Sequence, residues 1–129
     1  MAPGAAPVAV DAMGGDNAPG AVVQGAVDAA RQGQAVVLVG HEERVRAELK
    51  RLRAGAALPL EVRHAPEVVE MDDHPGRAMR SKRGNSIRLC LELVQSGAAS
   101  AMVSAGNSGA VMAGCLRVER SAQRTHPWG

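Results

Sequence analysis

The stretch Ser104-Ala105-Gly106-Asn107-Ser108-Gly109-Ala110 has the residue types and spacing to hold a reacting anion. It follows Ala101-Met102-Val103, which reads as the end of a buried strand, and precedes Val111, Met112, Ala113 and Leu116, which read as a helix. It is therefore a strand-to-helix turn. Gly106 and Gly109 leave room for main chain to approach a ligand. Asn107 suits the helix cap, and the unpaired N–H groups after it face any bound anion. The helix dipole adds about 0.3–1 kcal/mol for a negative charge there. Phosphate or carboxylate fits such a turn. A capped helix start with no ligand fits it too.

A second glycine-rich turn, Asp11-Ala12-Met13-Gly14-Gly15-Asp16, follows the apolar Val8-Ala9-Val10. Asp11 and Asp16 have the chemistry of general bases or metal ligands; an Asx-turn and a cap explain them equally. Gly14-Gly15 lacks the spacing of a dinucleotide fingerprint, and no P-loop lysine follows. Ser108 lies one residue short of a nucleophile elbow, so it reads as a helix-start hydroxyl. His41-Glu42-Glu43 has no second histidine at helical spacing, and His41 and His64 read as surface or strand-end residues. Asp72-Asp73-His74 reads as a solvated acidic turn. No metal or cofactor motif emerges. Arg77, Arg80, Lys82, Arg83 and Arg88 form the main basic cluster. Such a run is usually a solvated face, but it also suits a phosphate group or an acidic protein.

Composition narrows the classes. The 15 Lys+Arg nearly balance 13 Asp+Glu, which argues against a dedicated nucleic-acid binder. With one Trp and no Phe or Tyr, there is no stacking platform for single strands. No apolar run approaches the roughly 20 residues that span a bilayer. The start lacks the pattern of a secretory signal, so none is expected. Cys90 and Cys115, both in apolar helical pattern, are expected to be small buried thiols.

The elements around the two turns alternate. After a frayed lead, Met1 to Pro7, comes the first strand. A helix follows, capped by Asn17, with Pro19 in its first turn, an apolar face of Val22, Val23, Ala26, Val27 and Ala30, and Gly33 at its C-terminal cap. Ala35 to Val39 is apolar along most of its length, as a strand covered on both faces is. A second helix carries Val45, Leu49 and Leu52 inward. Leu60 to His64 alternates like a half-exposed edge strand. An irregular acidic connection, a short basic helix or turn over Pro75 to Arg83, and a helix with Ile87, Cys90, Leu91 and Val94 lead to the last strand. This order predicts an α/β fold with a parallel sheet and right-handed crossovers. A strand order of 3-2-1-4 would bring both glycine-rich turns together at the topological switch point, where such sheets bind ligands.

Three blocks together resemble the bacterial phosphate acyltransferases of phospholipid synthesis. They are Val8 to Asp16 with Pro19; His64-Ala65-Pro66-Glu67-Val68-Val69-Glu70-Met71-Asp72-Asp73-His74-Pro75 through Arg80 and Lys82 to Ser86; and Val103 to Ala110. The resemblance covers roughly Pro7 to Cys115. It implies transfer of a fatty acyl group from acyl carrier protein to inorganic phosphate, giving acyl phosphate for a downstream membrane acyltransferase. It also implies a Rossmann-like α/β fold with helices on both sheet faces, and a cytoplasmic homodimer peripheral to the inner face of the membrane. Phosphate is placed near Ser104, Gly106, Asn107, Ser108 and Gly109, with Asp11, Gly14, Gly15 and Asp16 as the facing wall. Asn107 and Asp11 are the catalytic candidates; Arg80 and Lys82 are charge partners for phosphate or carrier protein. Serine stands at 108 where the family commonly has threonine. Asn85 replaces a usual small residue, a change expected to matter little. Family members continue through further strand–helix units, so the fold is expected to be incomplete, with residues 1–116 forming part of the domain. Residues 117–129 lose the apolar pattern and are expected to be an aberrant, disordered tail, as after a shifted frame or an early stop. A chain of this extent is expected to be inactive. Outside the resemblance, the opening turn also fits a non-catalytic module binding a nucleotide or small anion.

Overall fold

The computed structural model describes residues 6–125, with side chains through residue 116. The elements are β1 (Val8–Asp11), α1 (Gly20–Arg31), β2 (Val36–Gly40), α2 (Glu42–Arg51), β3 (Leu60–His64), α3 (Pro75–Ser81), α4 (Ser86–Gln95), β4 (Ala101–Val103) and α5 (Ser108–Thr125). All strand pairings are parallel, in the order β3-β2-β1-β4. Val8 stands opposite Val36 on one side and Ala101 on the other. The fold is α/β and Rossmann-like, with β1 and β4 adjacent.

β2 is buried at every position, as its unbroken apolar run requires. On one face Val36 and Leu38 meet Val23, Ala26 and Val27 of α1 and Val45 of α2. On the other, Ala9, Val37 and Val39 meet Cys90 of α4, with Ala65 and Ala99. A third cluster joins Val69, Ala78 and Met79 to Ile87, Leu91 and Ala110, which fastens α3 and α5 to α4. Each large aliphatic side chain buried this way contributes about 1.5–3 kcal/mol. β3 is the half-exposed edge its alternation predicts.

α1 ends in a Schellman turn: Gly33 has φ +94°, its N–H donates to Ala30 and that of Gln34 to Ala29. The start of α1 differs from expectation. Asn17 makes no side-chain cap; the helix begins one turn later, at Gly20, with Pro19 in the cap position. The intervening residues form tight turns instead, and Asn17 contributes only its carbonyl, to the Ala21 N–H. α2 lacks a cap from its own segment. The Glu42 N–H donates to Nδ1 of His64, which lies at the end of neighbouring β3.

Two further expectations are corrected. Cys90 is buried but Cys115 is exposed. Cys115 shares the outer stripe of α5 with Met112 and Leu116, spaced i, i+3, i+4, while Ala110 and Gly114 face inward. Asn85 is not a minor position: it is fully buried, caps α4 by accepting from the Arg88 N–H, and donates to the Lys82 carbonyl at 2.6 Å. An apolar residue there would leave these groups unpaired. The α5 backbone continues through Thr125, past the end of the apolar pattern. Arg, Glu, Ala and Gln in this stretch are good helix formers. The N-terminal lead is described only from Ala6 on; there Ser100 donates its N–H to the Pro7 carbonyl. No helix among the described residues is long and apolar enough to cross a membrane.

Candidate phosphate-binding site

Because β1 and β4 pair, their following turns meet at the carboxyl end of the sheet. Asp11 closes the sheet at this point and is 1% exposed. Its Oδ1 accepts from the Met13 N–H at 3.1 Å, and its Oδ2 accepts from the Ser104 hydroxyl at 2.8 Å. Ser104 Oγ in turn accepts from the Gly106 N–H at 3.1 Å. A buried carboxylate thus ties the two turns through one hydroxyl. The Asx-turn reading of Asp11 holds, and the carboxylate has a second bond across the sheet.

The contact is close enough to require glycine. A Cβ on Gly14 would stand 2.7 Å from the Gly106 nitrogen and 2.8 Å from Asp11 Oδ2. Gly15 has φ +94° and faces Ala105. Gly14→Ala should therefore cost about 1–3 kcal/mol, since main chain and a buried carboxylate have little room to yield. Gly25→Ala is the control, because that position is open and lies in α1. In a complete version of the protein, a fall in the urea midpoint for Gly14→Ala, with none for Gly25→Ala, is expected. Equal midpoints would show that the turns separate freely.

Asn107 opens α5 as predicted, its Oδ1 accepting from the Ala110 N–H at 3.1 Å. Its Nδ2 is directed elsewhere, to the carbonyls of Glu70 and Asp73 at 3.1 Å each. Both amide hydrogens are used, and the residue is 6% exposed. Among the described residues, the Ser108 and Gly109 N–H groups have no hydrogen-bond partner. Ser108 is exposed. Gly109 lies under Pro75: a Cβ there would be 3.1 Å from Pro75 Cβ.

The acidic connection is a stapled strap. Lys82 Nζ donates to Asp73 Oδ2 at 2.7 Å and to the Val68 carbonyl at 2.9 Å. Asp73 Oδ2 also accepts from the Glu70 N–H at 2.8 Å. Lys82 is thus engaged by the strap. The Arg80 guanidinium instead folds back over Gly76, 3.7 Å from where a Cβ would sit. Asp16 is exposed at the tip of the first turn. The structure brings Asp11, Gly14, Ser104 and Gly106 into mutual contact, directs Asn107 and Lys82 to the strap, and leaves Arg80 and Asp16 at the surface. Asp73, expected in a solvated acidic turn, is instead half-buried and bonded to Lys82 and the Glu70 N–H. Its nine-residue spacing from Lys82 carries no local signal.

The Lys82 ammonium, then the Glu70 N–H, hold the Asp73 carboxyl below its usual 3.8. The Asp73 carboxylate raises Lys82 above its usual 10.5. Asp73's contribution is therefore present above pH 3.8 and lost as pH falls through a lower value. That of Lys82 is present below pH 10.5 and lost as pH rises through a higher one. The NMR shift of the Glu70 amide is expected to titrate below pH 3.8, and a midpoint at or above that value would contradict the staple. Burial, and then the Asp11 charge, push the Cys90 thiol well up, so it is no thiolate nucleophile.

Residues 6–126 match the family model described as fatty acid synthesis protein. The chain belongs to this family. It is 74% identical over 113 residues to the phosphate acyltransferase of Anaeromyxobacter sp. (strain Fw109-5), covering 88% of this chain and 32% of that protein. It is 72% identical over 113 residues to that of Anaeromyxobacter dehalogenans (strain 2CP-C), covering 88% and 31%. With that of Trichlorobacter lovleyi it shares 56% over 107 residues, covering 82% and 31%. These relatives are enzymes by name, and the chain spans about a third of their length.

Proposed function

We propose that the chain carries the phosphate-binding part of an enzyme that moves a fatty acyl group from acyl carrier protein to inorganic phosphate. The observation that supports this reading is the pair of interlocked glycine turns beside two unpartnered N–H groups, those of Ser108 and Gly109, at the start of α5. Phosphate accepts from these groups and gains from the helix dipole. A phosphate oxygen attacks the thioester carbonyl, the carbonyl π bond opens to an oxyanion, and the C–S bond breaks as it re-forms. The phosphate proton leaves to the carrier thiolate, so acyl phosphate and free thiol result. Phosphate is already a nucleophile, so no catalytic triad is required; positioning and oxyanion stabilisation supply the rate. Asp11, Ser104 and Gly14 hold the turns in register. Asn107 sets the start of α5 and the strap over it. Arg80, exposed and without a salt bridge among the described residues, is a charge partner for phosphate or carrier protein.

On this reading acyl phosphate feeds phosphatidic acid and phospholipid synthesis through a downstream membrane acyltransferase. The complete protein works as a homodimer in the cytoplasm, peripheral to the membrane's inner face. The test is release of free carrier protein from acyl carrier protein by a complete version of the enzyme, with and without added phosphate. Phosphate-dependent release is expected. Release indifferent to phosphate, or none with tight nucleotide binding by calorimetry, would replace the acyltransferase with a non-catalytic nucleotide or anion module.

A further inference from the structure

The basic cluster divides in two once its partners are known. Lys82 is bound to Asp73, and Arg88 pairs with Glu92 at 3.1 Å. Arg77, Arg80 and Arg83 are exposed and form no salt bridge among the described residues. From Pro75 to Leu91 there is no Asp or Glu, so nothing within the segment neutralises them. α2 differs. It too carries unpaired cations, Arg44 and Lys50, but intersperses them with Glu42, Glu43 and Glu48.

The position of this charge is fixed by the fold. α3 buries Ala78 and Met79 against α4 and α5, which leaves Arg77 and Arg80, one turn apart, on its outer side. Its first residue, Pro75, sits on Gly109, and the Asp73 carbonyl before it receives the Asn107 amide. A surface of unpaired guanidinium groups is therefore held rigidly beside the start of α5.

We propose that the outer side of α3 with Arg83 is a docking surface for an acidic protein surface, which presents its carboxylates to Arg77, Arg80 and Arg83. This rests on the acyltransferase reading for the partner's identity, the protein part of the acyl donor. Guanidinium groups match carboxylates in bidentate fashion, and an arginine surface beside the turn delivers a tethered thioester to it. A protein partner fits better than an anionic membrane. Three cations add only about 1 kcal/mol each at a lipid surface, where recognition takes clusters of about four to eight. Exposed Glu70 and Asp72, on the strap leading into α3, would also oppose a flat anionic sheet.

The test uses the chain as it stands, tethered at low density and titrated with acyl carrier protein. Arg77→Glu with Arg83→Glu should weaken binding by about tenfold or more at low salt, and added salt should erase the difference. Arg44→Glu, on α2, matches each single reversal in charge and should leave binding unchanged. Circular dichroism of each variant shows that the helices persist; if the double variant is unfolded, Arg77→Gln with Arg83→Gln replaces it, with a smaller loss expected in the same direction. Equal weakening by Arg44→Glu, no weakening by the double variants, or stronger binding to phosphatidylglycerol vesicles than to carrier protein would each overturn the proposal. In a complete version, phosphate-dependent transfer with an unchanged KM for the acyl donor in the double variant would remove the docking surface and keep the enzyme. Binding that follows the predicted pattern without any transfer would do the reverse.

Discussion

Asn107→Ala is expected to remove about 2–4 kcal/mol from the local stability of the α5 start and the strap. Loss of the cap alone costs about 0.5–2 kcal/mol. Each of the two bonds to the Glu70 and Asp73 carbonyls adds about 0.5–1.5 kcal/mol. Glu70 is exposed and its carbonyl can turn to water, which holds the total below the sum of the upper limits. The variant Asn107→Ser separates the two jobs. Serine can still accept from the Ala110 N–H, but it has no amide to reach the strap. In a complete version of the enzyme, Asn107→Ala should raise the KM for phosphate and lower the denaturation midpoint. Asn107→Ser should recover only the cap's share of the midpoint, and little of the KM if the strap positions the turn. Full recovery of both by serine would reduce Asn107 to a cap. Unchanged kinetics in both variants would remove it from the site.

The contrast between the two jobs of Asn107 marks what could be read from sequence. A cap is local: Asn107 precedes an apolar helical run, so its bond to Ala110 follows from spacing. Its bonds to Glu70 and Asp73 reach 37 and 34 residues back and end on main-chain carbonyls, which carry no residue signature. The same division runs through the fold. Strands, crossovers and the meeting of the two glycine turns followed from apolar periodicity and the alternation of elements. The Asp11–Ser104 bond spans 93 residues and becomes visible only when β1 and β4 pair. His64 capping α2, Lys82 stapled to Asp73, and Asn85 buried between α3 and α4 are likewise tertiary facts. Cys115 shows a limit of pattern itself. An apolar helical stripe says that a face wants cover, not that the cover is present within the same segment.

The largest effect is expected for a polypeptide of residues 1–129 used alone: no measurable phosphate-dependent acyl transfer, and self-association. β4 lies at the edge of the sheet, paired only with β1 among the described residues. Its other edge offers free donors and acceptors to any extended strand. Beside that edge Val103 is 57% exposed, and on α5 Met112 is 64% and Leu116 48% exposed. An open strand edge together with uncovered aliphatic side chains favours pairing between copies. The same openness weakens the site. The turn after β4 is reached by water, and each contact to phosphate is worth less in a high dielectric than in a closed cleft. Sedimentation should show species larger than the monomer, with a mass that rises with concentration. Val103→Asp or Val103→Lys, at a position 57% exposed, should shift the distribution toward monomer without restoring transfer. A monodisperse preparation of residues 1–129 that unfolds cooperatively and releases carrier protein in proportion to phosphate would overturn this expectation. It would place the whole of the chemistry on the two glycine turns and the start of α5.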